Sequence, residues 1–292
     1  MASTLLMTNL QDLTLILREK EHDVYHTSSE DLLLFITTGR ILVFNGILKD
    51  GDPDKGKILT RISLFWFEKL KGVVPDHHTM ANTDKMPKEK AKVIPIEFIV
   101  QGYLTGPAWV EYKRTGTMHR MPLPQGMVKS QQLHQPLVTS LMKAEQGTHD
   151  ENAFLDRAGQ LIGSKLYTCI AEIALKLYST AAKYAYSCGL ILTDSSEDEV
   201  VLVDKALTPD SLHYFLSINT FFEPLYIPGK PQPALTSQYE RDWLVSVGCC
   251  KHMESGPGGN SKGWGVNEAI IQGMQGRYSE AEEMLKNESP KA

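Results

Sequence analysis

The sequence predicts an α+β fold in two lobes. Three features lead there: short β-rich runs in the first forty residues, a switch to helical period near Lys57, and a long helical stretch followed by further strands. A small, mostly antiparallel lobe is placed at residues 1–99 and a larger mixed α/β lobe at residues 100–292. The cleft between two such lobes is where a ligand is expected.

Leu13 to Leu17, Asp23 to Thr27 and Leu32 to Thr37 are rich in aliphatic or β-branched residues, and the polar run His26 to Asp31 separates the last two. Ile41 to Phe44 extends the meander. From Lys57 the apolar positions Leu59, Ile62, Trp66 and Leu70 recur at helical spacing, with Gly72 as the stop. Val93 to Val100 is a buried strand entering a turn at Gly102 to Gly106, and a short helix carries Trp109 and Tyr112. Leu123 to His149 has no clear period and is predicted to be a long irregular connection, a kind that is often functional. Gly159 to Cys188 is one long helix. Leu190 to Thr193 and Val200 to Asp204 are expected to pair across the acidic turn Asp194 to Glu199. The remainder is mostly helical, with a glycine-rich loop at Ser255 to Gly265 before the last helix.

Composition narrows the function. The chain has 292 residues, 42% hydrophobic and 22% charged, with net charge −5, which suffices for a sizeable core and excludes a disordered tail. Thirty basic against thirty-five acidic residues, in no dense basic run, give no footprint for gripping nucleic acid. Four cysteines without a C-x-x-C pair are expected to be reduced thiols. The first twenty residues lack a basic region followed by a continuous apolar stretch, and no run approaches about 18 apolar residues, so a cytoplasmic protein without membrane contact is expected. A homo-oligomer is left open.

Four stretches carry more polar density than packing requires. Arg18 to Asp23 is a charged turn between strands, which alone would be a solvated hairpin end. Lys143-Ala-Glu-Gln-Gly-Thr-His-Asp-Glu-Asn152 gathers a cation, acids and a histidine that can clamp a carboxylate or an amine, although Asp150 and Asn152 equally suit capping. Asp194 and Asp204, at the ends of two predicted strands, are a pair of hard-oxygen donors for Mg²⁺, or simply two strand-end turns. Leu207-Thr-Pro-Asp-Ser211 is a turn with Pro209 fixing φ. His77-His78 lacks a third ligand, Gly256 to Lys262 does not fit a phosphate-binding loop, and Cys249-Cys250 has no neighbouring base.

Taken in order, Lys55-Gly-Lys-Ile-Leu-Thr60, Gly102-Tyr-Leu-Thr-Gly106, Lys143-Ala-Glu-Gln-Gly147 with His149-Asp-Glu-Asn152, Leu202-Val-Asp204 with Leu207-Thr-Pro-Asp-Ser211, and Arg241-Asp-Trp-Leu244 resemble the SAICAR synthetase family over nearly the whole chain. The resemblance implies a kinase-like N-terminal lobe and an α/β C-terminal lobe. It also implies ATP-dependent amide formation, in which a carboxylate on an aminoimidazole ribotide is activated as an acyl phosphate and attacked by the amine of aspartate with Mg²⁺ present. Lys143, Glu145, His149, Asp150, Glu151, Asp210 and Ser211 match the family pattern.

Other positions depart from that pattern. The phosphate-covering hairpin has Glu19, Lys20, Glu21 and His22, keeping only the lysine, and Glu19 replaces a glycine. A like-charge pair at about 4 Å costs roughly 4 kcal/mol at an effective dielectric near 20. The next motif keeps Arg40 but has Gly39, Leu42 and Asn45. Ser196 stands for a lysine, and Lys205 for the acid after Asp204. The phosphate-gripping arginine, serine and arginine are Gln101, Pro107 and His213.

The leading expectation is therefore a diverged enzyme acting on a non-phosphorylated small molecule in specialised metabolism, with a degenerate ATP site and no need of ATP. Lys143, His149, Asp150, Asp210 and His213 would be its catalytic groups, and Glu145, Glu151, Gln101, Ser211 and Tyr103 would contact substrate. The second expectation is an ATP-dependent carboxylate–amine ligase of purine biosynthesis, in which Lys20, Glu97 and Asp194 contact nucleotide and Asp194 and Asp204 hold Mg²⁺. The third is a binding protein without turnover.

Overall fold

A computed structural model describes residues 4–18, 22–28, 33–43, 46–47, 50–73, 96–142, 151–153, 155–197, 207–210, 213–217, 225–230, 232–235, 239, 243–244, 246 and 266–287. It is an α+β chain of two compact units. One comprises Met1–Ile62 and Leu235–Glu283, the other Ser63–Ala234 and Met284–Ala292.

The first unit opens with an antiparallel sheet of β1 (Leu15–Arg18), β2 (His22–His26) and β3 (Leu33–Thr37), in that order. β2 is central and its residues His22 to Tyr25 are buried, whereas the edge strand β1 is exposed throughout. The charged hairpin end is not fully solvated. Asp23 is completely buried, and its carboxylate accepts from the Thr8 N–H (2.8 Å), the Thr8 hydroxyl (2.6 Å) and the Arg40 guanidinium (2.9 Å). A short hairpin follows, β4 (Leu42–Val43) with β5 (Gly46–Ile47). Helix α1 (Lys55–Leu70), whose residues up to Ile62 belong to this unit and the rest to the other, buries the Leu59, Ile62, Trp66 and Leu70 stripe that its spacing predicts. Within this unit Arg61 on α1 meets Glu282 on α5 (Glu268–Lys286) with two N–H···O contacts, at 2.5 and 2.7 Å.

The second unit is organised by β6 (Ile96–Tyr103). It lies in a four-stranded antiparallel sheet of order β10 (Glu151–Ala153), β9 (Gln132–Met142), β6, β12 (Asp194–Glu197). Two expectations are corrected here. The connection from Leu123 to His149 is not irregular throughout, because β9 occupies eleven of its residues. Pro136 hid the strand. It falls in the register shift between the Gln101↔Leu137 and Tyr103↔Gln132 pairs, where the ladder is interrupted and a missing N–H is tolerated. The acidic Asp194 to Glu197 segment is a strand and not a turn, since pairing with β6 satisfies a backbone whose side chains have low β propensity.

Helix α2 (Gly106–Thr115) ends at Gly116, whose φ of +72° suits the left-handed cap. Its Ala108 and Tyr112 join Leu104, Met118 and Leu133 in one apolar cluster beside the small hairpin β7 (Thr117–Met118) and β8 (Met121–Pro122). The single helix expected at Gly159 to Cys188 is two, α3 (Leu155–Ile162) and α4 (Ser164–Ser187), divided at Gly163 with φ +89°. β11 (Leu190–Leu192) pairs along one edge with β13 (Tyr214–Leu216), and its expected pairing with Val200 to Asp204 falls on residues outside those described. Residues 200–204 and the glycine-rich loop lie outside the described residues. Among those described, no helix is long and apolar enough to cross a membrane, and Cys169 and Cys188 are free thiols.

Candidate functional site

Strand β6 alternates, with Ile96, Phe98 and Val100 buried and Glu97, Ile99 and Gln101 half-buried on the other face. The register sets Asp194 opposite Gln101. Residues directly opposite share a face, so Glu97, Gln101 and Asp194 line the same side of the four-stranded sheet. The Gln101 carboxamide oxygen is buried and has no hydrogen-bond partner among the described residues. An unmet buried acceptor costs about 1–3 kcal/mol, which a donor on a bound molecule would recover.

Asp194 is tied to His213. Its Oδ1 accepts the His213 backbone N–H at 3.0 Å and lies 3.1 Å from the Thr193 hydroxyl, while Oδ2 lies 3.2 Å from His213 Nδ1. An ionised carboxylate only accepts, so Nδ1 carries the proton in that contact. The Thr193 N–H donates to the His213 carbonyl at 3.0 Å, completing a closed loop between the end of β11 and the start of β13. Asp194 and His213 keep 20% and 33% of their side chains exposed, so the pair is reachable from solvent.

A layer of tyrosines supports this pair. The Tyr178 hydroxyl donates to the Leu192 carbonyl at 2.8 Å, and burial pushes the phenol well above its ordinary range. Tyr103 sits in an apolar cluster with Ile191 and Phe215, edge-on to Tyr226 at 5.7 Å, and burial pushes it up to about 12. Gly102 leaves room for Tyr178, because a Cβ there would stand 1.9 Å from the Tyr178 oxygen. Gly102→Ala is therefore expected to cost about 1–3 kcal/mol of stability by overpacking, readable as a lower urea midpoint. Tyr178→Phe combined with it would recover part of that loss.

Asp210 is half-buried in the turn after the fully buried Thr208. Glu151 lies on β10 opposite Met142. Lys20, Lys143, Glu145, His149, Asp150, Asp204 and Ser211 lie outside the described residues, as do His77-His78, Cys249-Cys250 and residues 256–262. Sequence reasoning did not single out Thr193. A hydroxyl residue ending an apolar strand just before Asp194 was the available signal.

Among the described residues no group of three His, Cys, Asp or Glu side chains could hold a metal ion. Mg²⁺ carried by a nucleotide needs less, since it keeps several waters and takes one or two carboxylates. A carboxylate has about four lone-pair directions. Asp194 uses three in the contacts above, so it fits as one hard-oxygen ligand.

A family profile for SAICAR synthetase matches residues 15–254. The phosphoribosylaminoimidazole-succinocarboxamide synthase of Pichia angusta is 38% identical over 97% of this chain and 98% of its own length. That of Thermodesulfovibrio yellowstonii is 37% identical over 85% and 89%. The structure of SAICAR synthase from Saccharomyces cerevisiae complexed with SAICAR superposes with a TM-score of 0.79 at 32% identity, covering 96% of this chain and 97% of that one.

These relatives overturn the leading expectation of a diverged, ATP-independent enzyme of specialised metabolism with a degenerate ATP site. That expectation weighed single positions against a likeness that runs end to end. It counted Gln101 and His213 as losses, yet a carboxamide offers N–H donors, and the His213 ring, with Nδ1–H held by Asp194, offers Nε2–H as well in its protonated form, which is what phosphate oxygens need. The repulsion assigned to Glu19 requires its side chain to face a phosphate, and Glu19 and Glu21 both lie outside the described residues. The chain is an enzyme that belongs to the SAICAR synthetase family of ATP-dependent ligases.

Proposed function

We propose that this protein is a phosphoribosylaminoimidazole-succinocarboxamide synthase of purine biosynthesis. It would join the carboxylate of a phosphorylated aminoimidazole ribotide to the amine of aspartate at the expense of ATP. The observation that carries this reading is the full-length match to the P. angusta synthase, at 38% identity over 97% of the chain. A carboxylate oxygen of the ribotide attacks the γ-phosphorus of ATP and ADP leaves. The aspartate amine then attacks the carbonyl carbon, phosphate departs with the former carboxylate oxygen, and the nitrogen loses its proton.

Lys143, His149, Asp150 and Asp210 serve as the polar and acid–base groups of this reaction, with Glu145, Glu151 and Ser211 beside the substrates. Lys20 and Glu97 contact the nucleotide. Asp194 and Asp204 would hold Mg²⁺, which when bound neutralises charge on the phosphate oxygens. Gln101 and His213 offer hydrogen bonds to the ribotide, with the imidazole held at Nδ1 by Asp194 and the His213 carbonyl held by Thr193, while Tyr103 packs with Ile191 and Phe215 at the end of β6. A cytoplasmic location and small-molecule partners accompany the reading.

The test is an omission series with purified protein. ADP release is expected only when ATP-Mg²⁺, aspartate and the carboxylated ribotide are all present. ADP release that is indifferent to the ribotide would rule the reading out.

A further inference from the structure

Leu207 has an unfavourable backbone. Its φ is +50°, a conformation that costs a residue with a Cβ about 1–2 kcal/mol, and such strain persists only where neighbouring groups impose it. Its side chain is buried, and so is that of Thr208. The next residue is Pro209, which fixes its own φ and pushes Thr208 out of the helical region. From Thr208 to Asp210 the turn therefore has little freedom of its own, and the torsions at Leu207 decide where Asp210 stands.

A buried group on β13 helps to hold those torsions. The Tyr214 hydroxyl donates to the Leu207 carbonyl at 2.7 Å, and the ring is wholly enclosed. Tyr214 pairs with Leu192 across β11 and β13 and immediately follows His213, whose backbone and ring both meet Asp194. The same strand start thus presents His213 on one side and secures the Asp210 turn on the other.

We propose that Tyr214 is a positioning residue of this active site. Its hydroxyl clamps left-handed Leu207 and so sets the Thr208-Pro209-Asp210 turn relative to the Asp194–His213 pair. The kinetic part rests on the ligase reading, in which Asp210 takes part in the reaction. The clamp itself does not.

The test is Tyr214→Phe, which keeps the ring and removes the hydroxyl. Loss of one buried hydrogen bond is expected to speed amide exchange at Thr208 and Asp210 on the order of tenfold, with Leu190 to Leu192 unchanged. For the ligase reaction, kcat is expected to fall on the order of tenfold with KM for ATP unchanged. The substitution should have no further effect in an Asp210→Asn background, because it acts through that residue. Unchanged exchange at Thr208 and Asp210, or equal acceleration throughout the unit, overturns the clamp. Faster local exchange with full kcat, or a loss that persists in Asp210→Asn, overturns the positioning role. Absence of turnover in the unsubstituted protein would count against the ligase reading alone, and the exchange measurement would still decide the clamp.

Discussion

Asp194→Asn is expected to lower kcat/KM for succinocarboxamide formation by about a hundredfold to a thousandfold while leaving the fold intact. The carboxylate meets His213 twice, at the backbone N–H (3.0 Å) and at Nδ1 (3.2 Å), and both contacts require an acceptor. Asparagine has only one acceptor atom. Its NH2 group would face either an N–H donor or a ring nitrogen that must then surrender its proton, so the imidazole tautomer reverses and the ring is misplaced. Loss of such an orienting carboxylate, or of one preorganised electrostatic contact, costs on the order of 10²–10⁴ in rate. The same substitution removes one of two carboxylates proposed for Mg²⁺, so the apparent affinity for ATP-Mg²⁺ should weaken as well. Steady-state rates at varied Mg²⁺ check this, and a variant retaining more than half of the rate would remove Asp194 from the site.

Asp23→Ala carries the largest expected cost in stability, about 3–5 kcal/mol. The carboxylate is fully buried and accepts from Thr8, Arg18 and Arg40, and the Arg40 side chain is only 4% exposed. Truncation leaves that guanidinium enclosed with carbonyl partners at Leu6 and His22 but without the Asp23 carboxylate that pairs with it. Burial by itself pushes the Asp23 carboxyl up. The bonds from Thr8 and Arg40 outweigh it and hold the group below its ordinary value of 3.8. A carboxyl whose folded pKa is depressed stabilises the fold fully above the unfolded pKa, and that contribution is lost as pH falls through the folded pKa. Urea unfolding of the unsubstituted protein should therefore show stability declining below about pH 4. Asp23→Asn should lack that part of the decline. A cost below about 1 kcal/mol at pH 7 would mean that the network contributes little.

Much of the fold was legible where one period dominated. The α1 stripe of Leu59, Ile62, Trp66 and Leu70 is buried as its spacing requires, and the first three strands fall within two residues of their predicted limits. β9 was hidden because Pro136 lies within its sequence, and no pattern reveals in advance that a proline will coincide with a bulge. β12 was hidden because Asp-Ser-Ser-Glu has turn chemistry, and only the neighbouring β6 makes it a strand. Asp194 and His213 were both singled out from motifs. Their direct pairing was not, since it depends on β11 meeting β13. Asp23 was taken for part of a solvated hairpin end because a charge in a charged run gives no sign of burial. Its partners Thr8 and Arg40 lie 15 and 17 residues away.

Oxygen transfer tests the ligase account most directly. Ribotide labelled with ¹⁸O in its carboxylate is supplied with ATP-Mg²⁺ and aspartate, and the released phosphate is weighed by mass spectrometry. If the carboxylate is activated by ATP, each phosphate carries one ¹⁸O and the succinocarboxamide retains the other. Phosphate free of label, or product formed without ATP consumption, would contradict it.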